Sequence, residues 1–143
     1  MSVAQILKGK GNKVFSVNES QSVLTALQIM VEYKIGVVLV KDESGGLAGV
    51  ASERDVARNL PERGGALLED KVSTIMTRDL ITCKTSDTIR DIMALMTSNK
   101  IRHLPVIDDG DLLGLISIGD VVKQRIAETE LEAESLKDYI TVG

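Results

Sequence analysis

Gly49-Val50-Ala51-Ser52-Glu53-Arg54-Asp55 and, 65 residues further on, Gly114-Leu115-Ile116-Ser117-Ile118-Gly119-Asp120 are two writings of one pattern. Each is Gly, an apolar residue, any residue, Ser, two free positions, then Asp. Three fixed positions of common residue types fall together by chance roughly 0.03 times in a chain of this length, so finding them twice marks a repeat. Working back from the motif, the likeness continues. A shift of 66 lays Val14-Phe15-Ser16-Val17 on Leu80-Ile81-Thr82-Cys83, Ser20 on Ser86, Met30 on Met96 and Lys34-Ile35 on Lys100-Ile101. Val40 and Asp42 then fall on Val106 and Asp108. One residue drops out where KDESGGLAG faces IDDGDLLG, a Gly-rich turn that tolerates a length change. Two copies of about 60 residues therefore organise the chain.

Each copy reads β-α-β-β-α. Residues 14–17 and 80–83 are short β-branched or apolar runs suited to strands. Val23, Ala26, Leu27 and Met30, and then Ile89, Ile92, Met93 and Met96, keep the i, i+3, i+4, i+7 spacing of a helix with one buried stripe. Asn18-Glu19-Ser20 and Thr85-Ser86-Asp87 supply N-cap residues ahead of them. Gly36–Val40 with Leu47–Ala51, and His103–Ile107 with Leu112–Ile116, are strand pairs joined by Asp/Gly turns. A short helix follows from near Ser52 and near Ser117. The segment Asn59–Glu69, with Pro61 and two glycines, reads as a connection. The expected architecture is mixed α/β (α+β): two β-α-β-β-α repeats packed sheet to sheet with pseudo-two-fold symmetry, plus a C-terminal helical extension. The expected boundaries are 1–62 for the first domain, 63–72 for the linker, 73–126 for the second domain and 127–143 for an acidic C-terminal helix.

Composition narrows the chemistry. Of 143 residues, 17 are basic and 21 acidic, giving a formal charge of −4, and aromatics are 2%. An acidic chain without stacking platforms argues against nucleic acid as the main partner. Cys83 is the sole cysteine and His103 the sole histidine, which leaves neither a zinc pair nor a clustered acid/base set for catalysis. No metal site and no enzymatic activity are expected. The N-terminal MSVAQILKGKGNK has no signal-peptide apolar run, and no apolar stretch is long enough to span a membrane. A soluble, cytoplasmic setting is the expectation. Gly9–Gly11 lacks the spacing of a nucleotide-hydrolysing loop and reads as a turn.

The Ser-x-x-Asp element has two readings that are compatible. One is a capping box, with Ser as N-cap and Asp reaching back from N3. The other is ligand recognition: a helix N-terminus attracts phosphate, and an ionised carboxylate accepts two hydrogen bonds from a ribose diol. With this motif doubled, and with Lys100-Ile101-Arg102-His103-Leu104-Pro105-Val106 opening a strand and Ile75-Met76-Thr77 ahead of the second copy, the chain resembles a tandem pair of cystathionine β-synthase (CBS) domains, a Bateman module. The likeness covers nearly residues 1 to 125.

The resemblance implies a non-catalytic regulatory module that binds an adenosine nucleotide in clefts between the copies, with AMP, ADP, ATP or NAD as ligand and S-adenosylmethionine as a further candidate. It also implies a disc-like homodimer. Carried over, the pairing is crossed: Ser52 and Asp55 face Ile101, Arg102, His103 and Pro105, with Thr77 and Ile81 at the base. Ser117 and Asp120 face Ile35, Gly36 and Val37, with Phe15 near the base. Arg102 and His103, helped by Lys100, suit a phosphate chain, so the better site is expected at Asp55. Arg102 and His103 also read as ordinary strand-edge polar residues, and Glu53 and Arg54 stay unassigned. An alternative function is an interaction module that regulates a client protein, such as a redox enzyme, with no small ligand of its own. The tail from Lys123, with Val122, Ile126, Ala133, Leu136 and Ile140 at loose helical spacing, reads either as a solvated surface helix or as a docking arm.

Overall fold

The computed structural model describes residues 2–11 and 13–142. The chain forms two compact units: Lys13–Leu80, and Met1–Asn12 together with Ile81–Gly143. These units group the chain by contact. The N-terminal segment packs with the second repeat, and residues 63–80 pack with the first.

In the unit Lys13–Leu80, β1 (Ser16–Asn18) runs parallel to β2 (Val37–Lys41), which pairs antiparallel with β3 (Leu47–Ser52). Between them α2 (Val23–Tyr33; α1 belongs to the other unit) buries Val23, Ala26 and Met30, the stripe its spacing dictates. The helix is capped by Ser22, whose side chain accepts from the Thr25 N–H at 3.1 Å, rather than by residues 18–20. Asn18 is already committed to a turn, where its Oδ1 accepts from the Ser20 N–H and hydroxyl. After β3, Ser52 starts α3 (Glu53–Arg63), which runs through Pro61.

The expected connection is a packed part of this unit. α3 gives way to a 3-10 turn at Gly64–Glu69, and a second follows at Val72–Thr74. Leu67, Val72, Ile75 and Met76 join Val17, Val23, Ala26, Met30, Val38, Val40, Ala51 and Val56 in one buried cluster. Arg63 grips Asp70 with two hydrogen bonds of 2.7 and 2.6 Å, which pull the Asp70 carboxyl below its ordinary value. The Val23 N–H donates to the Asp70 carbonyl and the Val72 N–H to Gln21, so the segment is laced to the start of α2.

The other unit repeats the plan with one strand missing. β4 (His103–Asp108) and β5 (Asp111–Ser117) pair antiparallel, but residues 80–83 form no strand and make a single bridge, Cys83 to Val106. The cause is in the sequence. In the first copy the Leu39 N–H donates to the Phe15 carbonyl. The corresponding donor in the second copy would be residue 105, a proline without an N–H. One step further, the Thr85 N–H turns to the Asp108 carboxylate at 3.1 Å instead of a strand carbonyl. Both hairpins keep a register shift at the same place, beside Val40 and beside Val106. Asp109 and Gly110, at φ 49° and 81°, turn the second hairpin with the left-handed backbone that an Asp-Gly loop favours.

α4 (Ile89–Asn99) buries Ile89, Ile92 and Met96 while Met93 faces solvent, and its cap is Thr88, whose hydroxyl accepts from the Asp91 N–H at 3.1 Å. Residues 85–87 build the preceding turn instead, with Asp87 accepting from the Lys84 N–H. An unanticipated helix, α1 (Val3–Lys10), covers this core with Val3 and Ile6. The expected turn at Gly9–Gly11 is thus mostly helix end. Cys83 is buried in the same cluster, and its thiol is pushed up to about 12, first by burial and then by the charges of Asp87 and Asp108. α5 is continuous from Ile118 to Val142, 25 residues, so the tail is one helix with the motif at its start. No helix among the described residues is long and apolar enough to cross a membrane.

Candidate functional site

Each unit presents its Ser-x-x-Asp at the junction of a strand and a helix. In Lys13–Leu80 the Ser52 N–H donates to Asp55 Oδ2 at 2.8 Å and the Ser52 hydroxyl donates to the same oxygen at 3.0 Å. The Asp55 N–H donates back to Ser52 Oγ at 3.3 Å, completing a capping box. The capping reading of the motif is therefore observed. Asp55 is 6% exposed, a buried carboxylate. Its other oxygen, Oδ1, has weaker neighbours: the Thr77 hydroxyl at 3.4 Å and the Arg58 guanidinium at 3.7 Å.

Of the residues expected opposite Asp120, this unit holds Phe15, Ile35, Gly36 and Val37. Val37 pairs with Ser52 across the sheet, and the Gly36 carbonyl accepts from the Glu53 N–H at 3.0 Å. Thr77 is bridged to Val50 by backbone hydrogen bonds of 3.1 and 2.8 Å, which fixes its hydroxyl beside Asp55. Gly49, the first letter of the motif, faces this bridge: a Cβ there would lie 2.6 Å from the Thr77 carbonyl oxygen. Ile35 packs half-buried on the core. Phe15 stacks on Tyr33 with ring centroids 4.0 Å apart, and the Lys13 ammonium sits 5.3 Å above its ring. Tyr33 and Arg58 were not among the expected residues.

In the other unit the same frame carries different electrostatics. The Ser117 N–H donates to Asp120 Oδ2 at 2.8 Å, and the Asp120 N–H donates to Ser117 Oγ at 3.1 Å. Lys10, from α1, donates to the same Oδ2 at 2.6 Å and to the Leu115 carbonyl at 2.8 Å. Burial alone would raise the Asp120 carboxyl, but the hydrogen bonds from Lys10 and Ser117 outweigh it and hold it below the usual value. His103 lies opposite Ser117 in the hairpin. Burial lowers its pKa, the charges of Lys10 and Arg102 lower it further, and Asp120 pulls the other way. Arg102 is exposed, and its carbonyl accepts from the Ile118 N–H at 2.8 Å, matching Gly36 and Glu53 in the first copy. Pro105 is buried, and Ile81 and Ile101 pack half-buried on the core. Lys10 had no signal in the sequence: its partner is 110 residues away.

Within each unit, then, the motif meets the start of its own repeat's strand, Val37 beside Ser52 and His103 beside Ser117. Among the described residues no group of three or more His, Cys, Asp or Glu clusters to hold a metal ion. The site chemistry is hydrogen bonding and charge.

Comparison with known proteins agrees with this frame. The sequence matches the CBS domain family over residues 10–62 and 72–126. It is 34% identical to the CBS domain-containing protein CBSX3, mitochondrial, of Arabidopsis thaliana, over 99% of this chain and 72% of that one. The crystal structure of a CBS-domain-containing protein from Agrobacterium tumefaciens superposes with a TM-score of 0.85 at 38% identity, covering 87% of this chain and 92% of that one. The CBS domain pair of protein MJ0100, crystallised with 5′-methylthioadenosine and S-adenosylmethionine, shares the fold at a TM-score of 0.78 and 22% identity, over 90% of this chain and 98% of that one. With the doubled motif, both hairpins and both capped helices in place, the chain belongs to the CBS-domain family.

Proposed function

We propose that this protein is a non-catalytic regulatory module that binds an adenosine-containing ligand, AMP, ADP, ATP or NAD, with S-adenosylmethionine as the other candidate. The observation that carries the reading is the split character of Asp55. One carboxylate oxygen is spent on capping α3, and the other, in a buried setting, has among the described residues a hydroxyl at 3.4 Å and a guanidinium at 3.7 Å near it. A carboxylate accepts about four hydrogen bonds, so Oδ1 has capacity for vicinal ribose hydroxyls. The two ligands of MJ0100 share the adenosine that such a carboxylate would read. Binding shifts the balance between conformations by no more than the ligand's difference in affinity for them, and that difference is the signal passed to a client.

Asp55→Asn tests the reading better than Asp55→Ala. The amide oxygen still accepts from the Ser52 N–H and keeps the cap, whereas alanine removes a capping partner, a change of about 0.5–2 kcal/mol in fold stability. By titration calorimetry, Asp55→Asn weakens AMP, ATP, NAD or S-adenosylmethionine at least about tenfold, near 1.4 kcal/mol, with the unliganded melting point nearly unchanged. Wild-type affinity in both Asp55→Asn and Asp120→Asn refutes the ribose role. A second reading, an interaction module with no small ligand, draws support from the exposed Leu131, Leu136, Tyr139 and Ile140 of α5. It stands if no adenosine compound at millimolar concentration raises the melting point.

A further inference from the structure

The second motif already holds a cation. Lys10, the last residue of α1, places its ammonium 2.6 Å from Asp120 Oδ2 and 2.8 Å from the Leu115 carbonyl oxygen. The cation at the first motif, Arg58, stands off at 3.7 Å from Asp55 Oδ1. α1 is anchored at its other end. Val3 and Ile6 are buried, the Val3 N–H donates to the Asp87 carbonyl at 2.9 Å and the Ala4 N–H to the Thr85 carbonyl at 3.1 Å. Lys10 itself is exposed, and its flexible four-carbon stem can turn without disturbing those contacts. A cleft of about 270 Å³ opens between α1 and α5, lined among others by Gln5, Gly9, Lys10, Asp120, Lys123 and Gln124. Two ammonium groups and one carboxylate thus border one space inside a single unit.

A ligand entering there has to exchange partners with Lys10. A neutral diol that takes Asp120 draws an ammonium off a carboxylate and gives that ammonium nothing in return. Hydrogen bonds between ionised groups are roughly twice as strong as neutral ones, so this exchange is unfavourable. A ligand that carries a diol and an anion together loses nothing. Its diol pairs with Asp120, its anion takes the Lys10 ammonium with Lys123 beside it, and every charge keeps a partner.

We infer that Lys10 makes the second motif selective for a phosphate-bearing nucleotide over a neutral nucleoside, by passing its ammonium from Asp120 to the phosphate. The inference rests on the proposed reading of the motif carboxylates as ribose acceptors, and it assigns Lys10 the choice among ligands that share the ribose.

Titration calorimetry with AMP and adenosine, which differ by the phosphate alone, tests this. The full chain carries Asp55→Asn, so that the second motif dominates the heat. AMP binds at least about tenfold more tightly than adenosine. Adding Lys10→Met moves the two ligands in opposite directions, AMP weakening and adenosine strengthening by about threefold or more each, and the gap closes. Lys10→Arg keeps the order seen with lysine. The melting point of each variant checks that the fold is intact. Adenosine that weakens or stays put in Lys10→Met overturns the inference, as does an AMP preference that survives there. Loss of all binding in the Asp55→Asn chain, with Lys10 or without it, also overturns the inference and leaves the reading of Asp55 standing. A wild-type chain that binds no adenosine compound overturns both.

Discussion

Replacing Gly49 by alanine adds one methyl group at the most crowded point of the candidate site. An ideal Cβ there lies 2.6 Å from the Thr77 carbonyl oxygen, 3.0 Å from Met76 Sδ and 3.2 Å from Met76 Cγ. The thioether can swing aside, since methionine has three rotatable bonds. The carbonyl cannot, because Thr77 is tied to Val50 by hydrogen bonds of 3.1 and 2.8 Å and moving it opens the bridge. Overpacking against a fixed backbone costs about 1–3 kcal/mol, and about 2 kcal/mol lowers the melting point of a unit of this size by about 8–16 °C. Gly9 is the control: it sits inside α1, and nothing lies within 4 Å of its added Cβ. Alanine there replaces a glycine in the last turn of the helix with a better helix former and stabilises by up to about 0.5 kcal/mol. Differential scanning calorimetry of the two variants therefore reads opposite signs. If Gly49→Ala melts at or above the wild type, the close approach of Thr77 to the motif glycine is wrong. The placement of the Thr77 hydroxyl beside Asp55 then falls with it.

His103 is the sole histidine, so its ring resonance reads one titration, with a midpoint below 6.5 that rises when Lys10→Met removes the nearby ammonium. Because the folded value lies below the unfolded one, the folded chain binds fewer protons between them, and stability falls as pH drops through that window. A wild-type midpoint above the ordinary value, or one that Lys10→Met leaves in place, refutes the arrangement of Lys10 and His103 about Asp120. Cys83, with its thiol pushed up to about 12 by burial first, stays unmodified by a thiol reagent at pH near 8 until denaturant unfolds the chain; rapid labelling of the native protein contradicts its burial.

What the sequence made legible was whatever depends on near neighbours along the chain. The stripes of α2 and α4 are set by 3.6-residue spacing, and the hairpins by Asp/Gly turns between apolar runs. The motif's cap is a contact over three residues. What it hid depends on distant partners. Leu80-Ile81-Thr82-Cys83 has the composition of a strand, yet Pro105 withholds the N–H that would lengthen its ladder. Gly64 and Gly65 looked like the punctuation of a linker, but Leu67, Val72 and Ile75 have core to fill on either side of Asp70. Gly9–Gly11 resembled a turn, but α1 runs to Lys10 and its Val3 and Ile6 fill the second repeat's core. Lys10 came with it.

That lysine separates two motifs that the sequence writes alike. At Asp55 the carboxylate is buried, and on the proposed reading a diol at Oδ1 competes, among the described residues, with the 3.4 Å hydroxyl and the 3.7 Å guanidinium. At Asp120 an ammonium is already bound at 2.6 Å, and it also holds the Leu115 carbonyl. A neutral hydroxyl is a poorer partner for a carboxylate than a cation is, so a sugar gains less at the second motif than at the first. The cap is present in both copies, where the Ser52 and Ser117 N–H groups each donate to the Asp three residues on. On the proposed reading, Lys10 adds to the expectation of the better site at Asp55, whose side chain is also the more buried, 8% exposed against 23% at Asp120.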